Sequence, residues 1–164
     1  MIKTYTLSLF ADYFQVFIYD ACLDWSTVRI EADWWTEQDS IDMFASKENG
    51  RLIVMETFRN FNVPIEVAVL ETEPPIHSLD KWDQSVECSI RTQSSGILIA
   101  ELANEGQNGL LIEGAGPNWR LRIYYGGQNT IDRMGIEGKD HYLIELWPVE
   151  SISSAVIIKQ RHLD

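Results

Sequence analysis

The sequence predicts an all-β protein: an antiparallel two-sheet β-sandwich of about ten strands, with at most one or two short helices. Three observations carry that expectation. Apolar and aromatic residues recur with a period of two in short runs, the spacing that sends side chains to alternate faces of a strand. Clusters of Gly, Pro, Asn and Ser punctuate those runs. Helical periodicity is almost absent.

Thr4–Leu9 and Tyr13–Tyr19 open the chain as two strands. In the second, Phe14, Val16 and Ile18 alternate with Tyr13, Gln15, Phe17 and Tyr19, so both faces are apolar or aromatic. A strand of that kind lies inside a sheet with material packed on each side. Asp20 to Trp35 then mixes acids with Trp25, Trp34 and Trp35, and holds a short candidate strand at Val28–Ala32. Thr36 with Asp39 three positions on reads as a helix start, predicting one or two turns ending at Asp42 or Met43. Acids in that first turn suit the helix dipole.

Glu48-Asn49-Gly50 between apolar runs is the strongest hairpin signal, with Arg51–Thr57 as the returning strand. In Val63–Leu70, Val63, Ile65, Val67 and Val69 share a face, and Pro64 is tolerable so near a strand start. The polar connection Glu71–Asp83 carries two prolines and is expected to cross between sheets. Ser85–Thr92 turns Val86, Cys88 and Ile90 inward and Glu87, Ser89 and Arg91 outward. Gly96–Leu102 follows a Gln-Ser-Ser-Gly turn, and Asn108–Glu113 precedes the Gly114–Pro117 turn.

The most distinctive stretch comes next. Trp119–Tyr125 and His141–Trp147 read as a long antiparallel pair near the middle of a sheet, with Glu145 facing Arg120 or Arg122 across it. Trp119, Leu121, Ile123 and Tyr125 share one face, and Arg120, Arg122 and Tyr124 the other. The 14-residue connection Gly126–Lys139 exceeds a tight hairpin, and loops of that length are often functional or mobile. Ala155–Lys159 is the last candidate strand. One sandwich domain over residues 1–160 with a tail at 161–164 accounts for the chain.

A chain of 164 residues buries roughly 70% of the surface its unfolded form exposes, so it needs no metal or disulfide to fold. Cys22 and Cys88 lie 66 positions apart, without a second ligand at metal spacing, and read as two small buried hydrophobes in a reducing compartment. No apolar run approaches the roughly 20 residues of a membrane span, and the N-terminus lacks a continuous apolar signal core. Cytoplasmic residence is the expectation. The net charge of −12, from 25 acidic and 13 basic residues, argues against nucleic acid or an anionic membrane as partner and permits a basic protein.

The histidines, His77, His141 and His162, are not paired at metal spacing. No nucleophile elbow or phosphate loop stands in the chain, and Gly114-Ala115-Gly116 precedes a strand rather than a helix. Asp20, Asp24, Glu31 and Asp33 form one acidic group, Asp39 and Asp42 another, with no calcium-loop spacing. No cofactor and no metal is expected. The tryptophans either plug the open ends of the sandwich or form a recognition surface, as aromatic anchors for a protein or a stacking platform for a sugar.

Ala11-Asp-Tyr-Phe-Gln-Val-Phe-Ile-Tyr-Asp20, the tryptophan-acidic segment Asp33-Trp34-Trp35-Thr36-Glu37, a hairpin, Val-rich strands and the passage Gly116 to Tyr125 follow one another in an order that resembles the competence protein J family of small acidic β-rich bacterial proteins. The resemblance covers Leu7 to Tyr125 as pattern and order, and carries over no binding residue. The closing strand Asp140–Pro148 looks more like small bacterial domains of unknown function, some found beside toxin genes. The resemblance implies a binding protein that inhibits a nuclease and has no active site of its own.

The sequence is therefore read as a non-enzymatic cytoplasmic binding protein, a nuclease inhibitor or immunity protein with an acidic interaction surface. The residues expected to form that surface are Asp24, Trp25, Trp34, Trp35, Glu37, Asp39 and Asp42. A carbohydrate-binding module using the loop tryptophans, and an enzyme whose site is assembled only in the fold, are the alternatives.

Overall fold

Two sheets stack face to face, as the alternation predicts, and the fold is all-β, with one short α-helix among the described residues. The computed structural model describes residues 2–93, 96–101, 109–114 and 116–163. In chain order its elements are β1 (Lys3–Phe10), β2 (Gln15–Asp20), α1 (Glu37–Asp42), β3 (Phe44–Lys47), β4 (Leu52–Glu56), β5 (Asn62–Val69), β6 (Gln84–Arg91), β7 (Gly96–Ala100), β8 (Leu110–Glu113), β9 (Asn118–Gly126), β10 (His141–Pro148) and β11 (Val156–Lys159). One sheet runs β1-β5-β10-β9-β6-β11, the other β3-β4-β2-β7-β8. All neighbours are antiparallel except β5 and β10, which run parallel.

The core lies where the period-two patterns put it. Val16 and Ile18 of β2, Ile53 and Met55 of β4, and Ile97 and Ile99 of β7 meet Ile65 and Val67 of β5, Val86, Cys88 and Ile90 of β6, Leu121 and Ile123 of β9, and Ile144 of β10. Each such side chain, fully withdrawn from water, contributes about 1.5–3 kcal/mol. The odd residues of β2 do the opposite. Phe17 and Tyr19 point away from the core into a second apolar cluster with Leu23, Leu52, Val54 and Ala100. The two-faced hydrophobicity of β2 thus reflects a central strand covered on both sides.

Four expectations change. β2 starts at Gln15, because Asp12–Phe14 form a 3-10 turn with Tyr13 at φ 55° and Phe14 at φ 63°. Val28–Ala32 is not a strand; Val28 packs with the tryptophans over β2 instead. The tryptophans Trp25, Trp34 and Trp35 cover the outer face of a sheet rather than plugging the ends of the sandwich. Glu71–Asp83 does not pass between sheets, since β5 and β6 belong to the same one. It crosses the outer face of β10 and β9 as a strap. Pattern reports which face a residue takes but not the lateral order of strands, and the parallel β5–β10 pair is what forces this crossover. Ser94 and Ser95 of the expected turn, Leu102 and Asn108 lie outside the described residues.

The helix start is as the sequence reads: Thr36 Oγ1 accepts from Asp39 N and the Asp39 carboxylate accepts from Thr36 N, a reciprocal capping box. Met43 ends the helix in the left-handed region, and its carbonyl accepts from the buried Tyr125 hydroxyl at 2.6 Å. The C-terminal segment returns to this end of the molecule, where Arg161 Nη2 donates to Ser40 O and its backbone N–H to Gln84 Oε1.

Candidate functional site

The acidic, tryptophan-bearing segment folds across the outer face of the five-stranded sheet. Trp25 meets Phe17 and Tyr19 edge-on, with ring centroids 5.6 and 5.1 Å apart. Trp34 leans over Phe17 at 6.4 Å, with the Lys47 ammonium 5.5 Å from its own ring. Trp35 Nε1 donates to Ser40 Oγ at 2.8 Å, which ties the segment to α1. All three indoles are half-buried. Each thus has one face spent on the second apolar cluster, and Trp25 and Trp34 stand at different angles to Phe17, so these rings do not make a flat platform of the kind a sugar stacks on.

The acids of this segment have local duties as well as charge. Asp24 accepts from the backbone and hydroxyl of Ser26, and that hydroxyl bond first of all holds its carboxyl below the usual range. Asp39 caps α1 and lies 3.9 Å from Lys47. Asp42 accepts from Gln38, while Glu37 is exposed in the first turn. Asp20 is buried and held by Arg51 at 2.9 Å, with Cys22 N and Gln93 N donating to it. Among the described residues, no group of three His, Cys, Asp or Glu side chains is placed to hold a metal ion.

A second constellation sits on the opposite sheet, beneath the strap. Arg122 on β9 is almost fully buried and lies in register with Glu87 on β6 and Glu145 on β10. Its guanidinium donates to Glu87 Oε1 at 2.8 and 3.0 Å and to Pro74 O at 3.0 Å, and it stacks on Trp147 at 5.0 Å. Arg120 bonds Glu87 and the carbonyls of Ser153 and Ser154. The two arginines therefore clamp the two segments that cross the sheet. His77, in the strap, places Nε2 3.2 Å from Glu145 Oε2 and donates its backbone N–H to the Tyr124 hydroxyl. Beside it opens a pocket of about 480 Å³ lined by Ile2, Leu70, Pro75, Ile76, Leu143 and Glu145. Among the described residues, no hydroxyl or thiol side chain is hydrogen-bonded to the imidazole ring of this pair.

A third feature had no sequence signal. Tyr13 N donates to Asn60 Oδ1, Asn60 N to Gly135 O, and Thr57 N to Phe14 O, which stitches three turns into one corner. Tyr13 and Met134 are each 74% exposed there, near the exposed pair Phe10 and Phe61. A left-handed backbone at two successive aromatics runs against intrinsic preference, and only tertiary bonds explain it. The Gly126–Lys139 connection that contributes to this corner is itself closely bonded: Asp132 Oδ1 accepts from Ile136 N and Glu137 N, and Thr130 Oγ1 accepts from Lys139 N.

Of the residues expected to act, Trp25, Trp34, Trp35 and Asp39 are brought onto one face of the molecule through Phe17, Lys47 and Ser40. His77 and the pocket beside Glu145 were not among them. The signal that could have found them is Glu145 itself, a carboxylate inside an otherwise apolar and aromatic strand.

No family model matches the chain, and no curated relative does. Two solved structures are similar in fold. One is the crystal structure of ComJ from Bacillus subtilis, an inhibitor of the DNA degrading activity of NucA: TM-score 0.62, 18% identity, covering 91% of this chain and 99% of that one. The other is described as crocagin biosynthetic gene J: TM-score 0.53, 12% identity, covering 90% and 97%. The likeness to ComJ agrees with the resemblance drawn from the sequence and spans more of the chain than Leu7 to Tyr125. At these identities it shows the fold.

Proposed function

We propose that this chain is a non-enzymatic binding protein that inhibits a basic protein, a nuclease or nuclease toxin, and works in the cytoplasm as an inhibitor or immunity protein. The observation that carries the reading is the shared architecture, over nearly the full length of both chains, with a protein that inhibits a nuclease. The charge supports it in physical terms. At −12 the molecule carries a field that attracts a basic, nucleic-acid-binding surface and raises its association rate. We assign the partner contact to Asp24, Trp25, Trp34, Trp35, Glu37, Asp39 and Asp42; the gathering of Trp25, Trp34, Trp35 and Asp39 around Phe17, Lys47 and Ser40 supports it, as a mixture of steering charge and aromatic anchor of the kind found in tight interfaces.

The test is a DNA-degradation assay with the nuclease encoded beside the gene, titrated with the purified chain. Stoichiometric inhibition is expected, with an association rate that falls as salt rises. The double variant D24N/E37Q, both exposed positions, should slow association without unfolding the protein. Undiminished DNA degradation at a tenfold excess of the chain (about micromolar concentrations, the range of ordinary specific complexes) sinks the reading.

A further inference from the structure

We infer that the pocket under the strap receives a lysine side chain of the basic partner, with Glu145 as the group that accepts its ammonium. The inference rests on the reading of the chain as a binder of a basic protein, and adds where and by what chemistry one contact is made.

Glu145 is the reason. Its side chain is only 5% exposed, yet Oε1 is shielded from solvent and accepts no hydrogen bond. The nearest guanidinium nitrogen, Arg122 Nη1, lies 3.7 Å away, beyond hydrogen-bonding distance, and donates to Pro74 O instead. A buried acceptor left open costs the desolvation of that atom with nothing in return. The charges around it lean the same way. Two guanidiniums, Arg120 and Arg122, face three carboxylates, Glu73, Glu87 and Glu145, so the carboxylates outnumber the guanidiniums by one.

The walls select the kind of cation. Ile2, Leu70, Leu143 and the Pro75-Ile76 edge of the strap are apolar, and Ala68 opposite Glu145 on β5 leaves the floor open. A hydrated metal ion gains nothing from such walls, whereas a four-carbon stem does. Glu145 Oε2 is already held by His77, so one oxygen is available, which suits a point-charge ammonium rather than the two-pronged guanidinium of arginine. His77 keeps Oε2 in this arrangement, and its half-exposed imidazole competes with the ammonium for the same carboxylate.

The lysine side chain is tested as n-butylammonium, titrated into the methyl-labelled full chain and followed by NMR, with 1-butanol and butyrate as controls. Shifts are expected at the methyls of Ile76, Ala68 and Leu143 for the ammonium and not for butyrate. Glu145→Gln should weaken the ammonium about tenfold or more, as loss of a charged partner does, and His77→Ala should strengthen it. Ala68→Leu, which leaves the arginine cluster untouched, should abolish binding even if Glu145→Gln fails to fold. Equal binding of 1-butanol, shifts elsewhere, no response to the ammonium, or indifference to Ala68→Leu overturns the proposal. Ammonium binding that persists in a chain that inhibits no nuclease keeps the pocket and discards the inhibitor reading. Inhibition unaltered by Ala68→Leu discards the pocket's role in the complex and keeps the inhibitor.

Discussion

Arg122 stands directly opposite Glu145 across β9 and β10, yet its short bonds run to Glu87 on the other neighbouring strand: 2.8 Å against 3.7 Å. One buried guanidinium thus serves two sheet partners and the strap unequally. Replacing Arg122 by Met keeps the stem and removes the charge, leaving Glu87 and Glu145 facing each other's field beneath the strap. Breaking a buried pair in this way costs about 3–5 kcal/mol. Urea unfolding of R122M against wild type measures it, and Glu145→Gln added to R122M should recover part of the loss. A difference within the scatter of ordinary surface substitutions would show that the cluster does not hold the strap.

Tyr13 is both exposed and strained. At φ 55° an L-residue pays roughly 1–2 kcal/mol relative to the ordinary helical region, and the ring, 74% exposed, recovers little by packing. Tyr13→Gly should therefore stabilise the protein, by about 0.5–1 kcal/mol after the extra entropy glycine loses on folding. A thermal shift upward is the expected result. A downward shift would mean that the exposed ring packs more than its surface suggests.

How much of this was legible in the sequence follows from what period-two alternation encodes. It assigns faces, so the inward set of β5, β6, β9 and β10 could be read from Val63 to Val67, Val86 to Ile90, Leu121 to Tyr125 and Tyr142 to Leu146. The capping box at Thr36 and Asp39 and the Asn49-Gly50 turn are local chemistry and were equally readable. What alternation does not encode is lateral order. Nothing in Val63–Leu70 says that its neighbour is a parallel strand some eighty positions on, and so nothing located the strap, or His77 over Glu145. The left-handed turn at Tyr13-Phe14 was hidden for a different reason. Aromatics favour strands, and the bonds from Thr57 and to Asn60 override that preference only once the sheets have met.

The two cysteines should react very differently. Cys88 is buried against the core on β6, and burial pushes its thiol up to about 12, with Arg120 pulling the other way and Glu87 adding to the rise. Cys22, expected from the sequence to be buried like Cys88, is instead exposed, because it lies in the turn that follows β2 rather than in the strand. Because the thiolate is the nucleophile, iodoacetamide at pH 8 should label Cys22 alone in the folded protein, and both after unfolding in urea. Mass spectrometry after short exposure reads the result. Labelling of Cys88 at a comparable rate would indicate that β6 and β11 open far more readily than their pairing implies.

Glu56 gives the fold a pH dependence of unusual sign. It sits at the end of β4 beside α1 and the returning C-terminal segment, and burial raises its carboxyl from 4.5 to about 7, against the opposing pull of Arg161 and a hydrogen bond with Ser40. Below pH 4.5 the folded and unfolded chains both hold the proton, and the group is neutral in its effect on stability. Between there and pH 7 only the folded chain keeps it, so the unfolded state gains as its carboxyl ionises, and stability falls as pH rises. Above pH 7 the folded chain holds a charged carboxylate in a poorly solvated place and the penalty is complete. With solvent screening allowed for, it amounts to about 1–2 kcal/mol. Glu56→Gln should therefore match wild type in urea unfolding at pH 4 and exceed it at pH 8, while Arg161→Ala should deepen the loss at pH 8 by removing the cation that favours the charged form. An advantage of Glu56→Gln that is equal at both pH values would place its origin in packing rather than in ionisation.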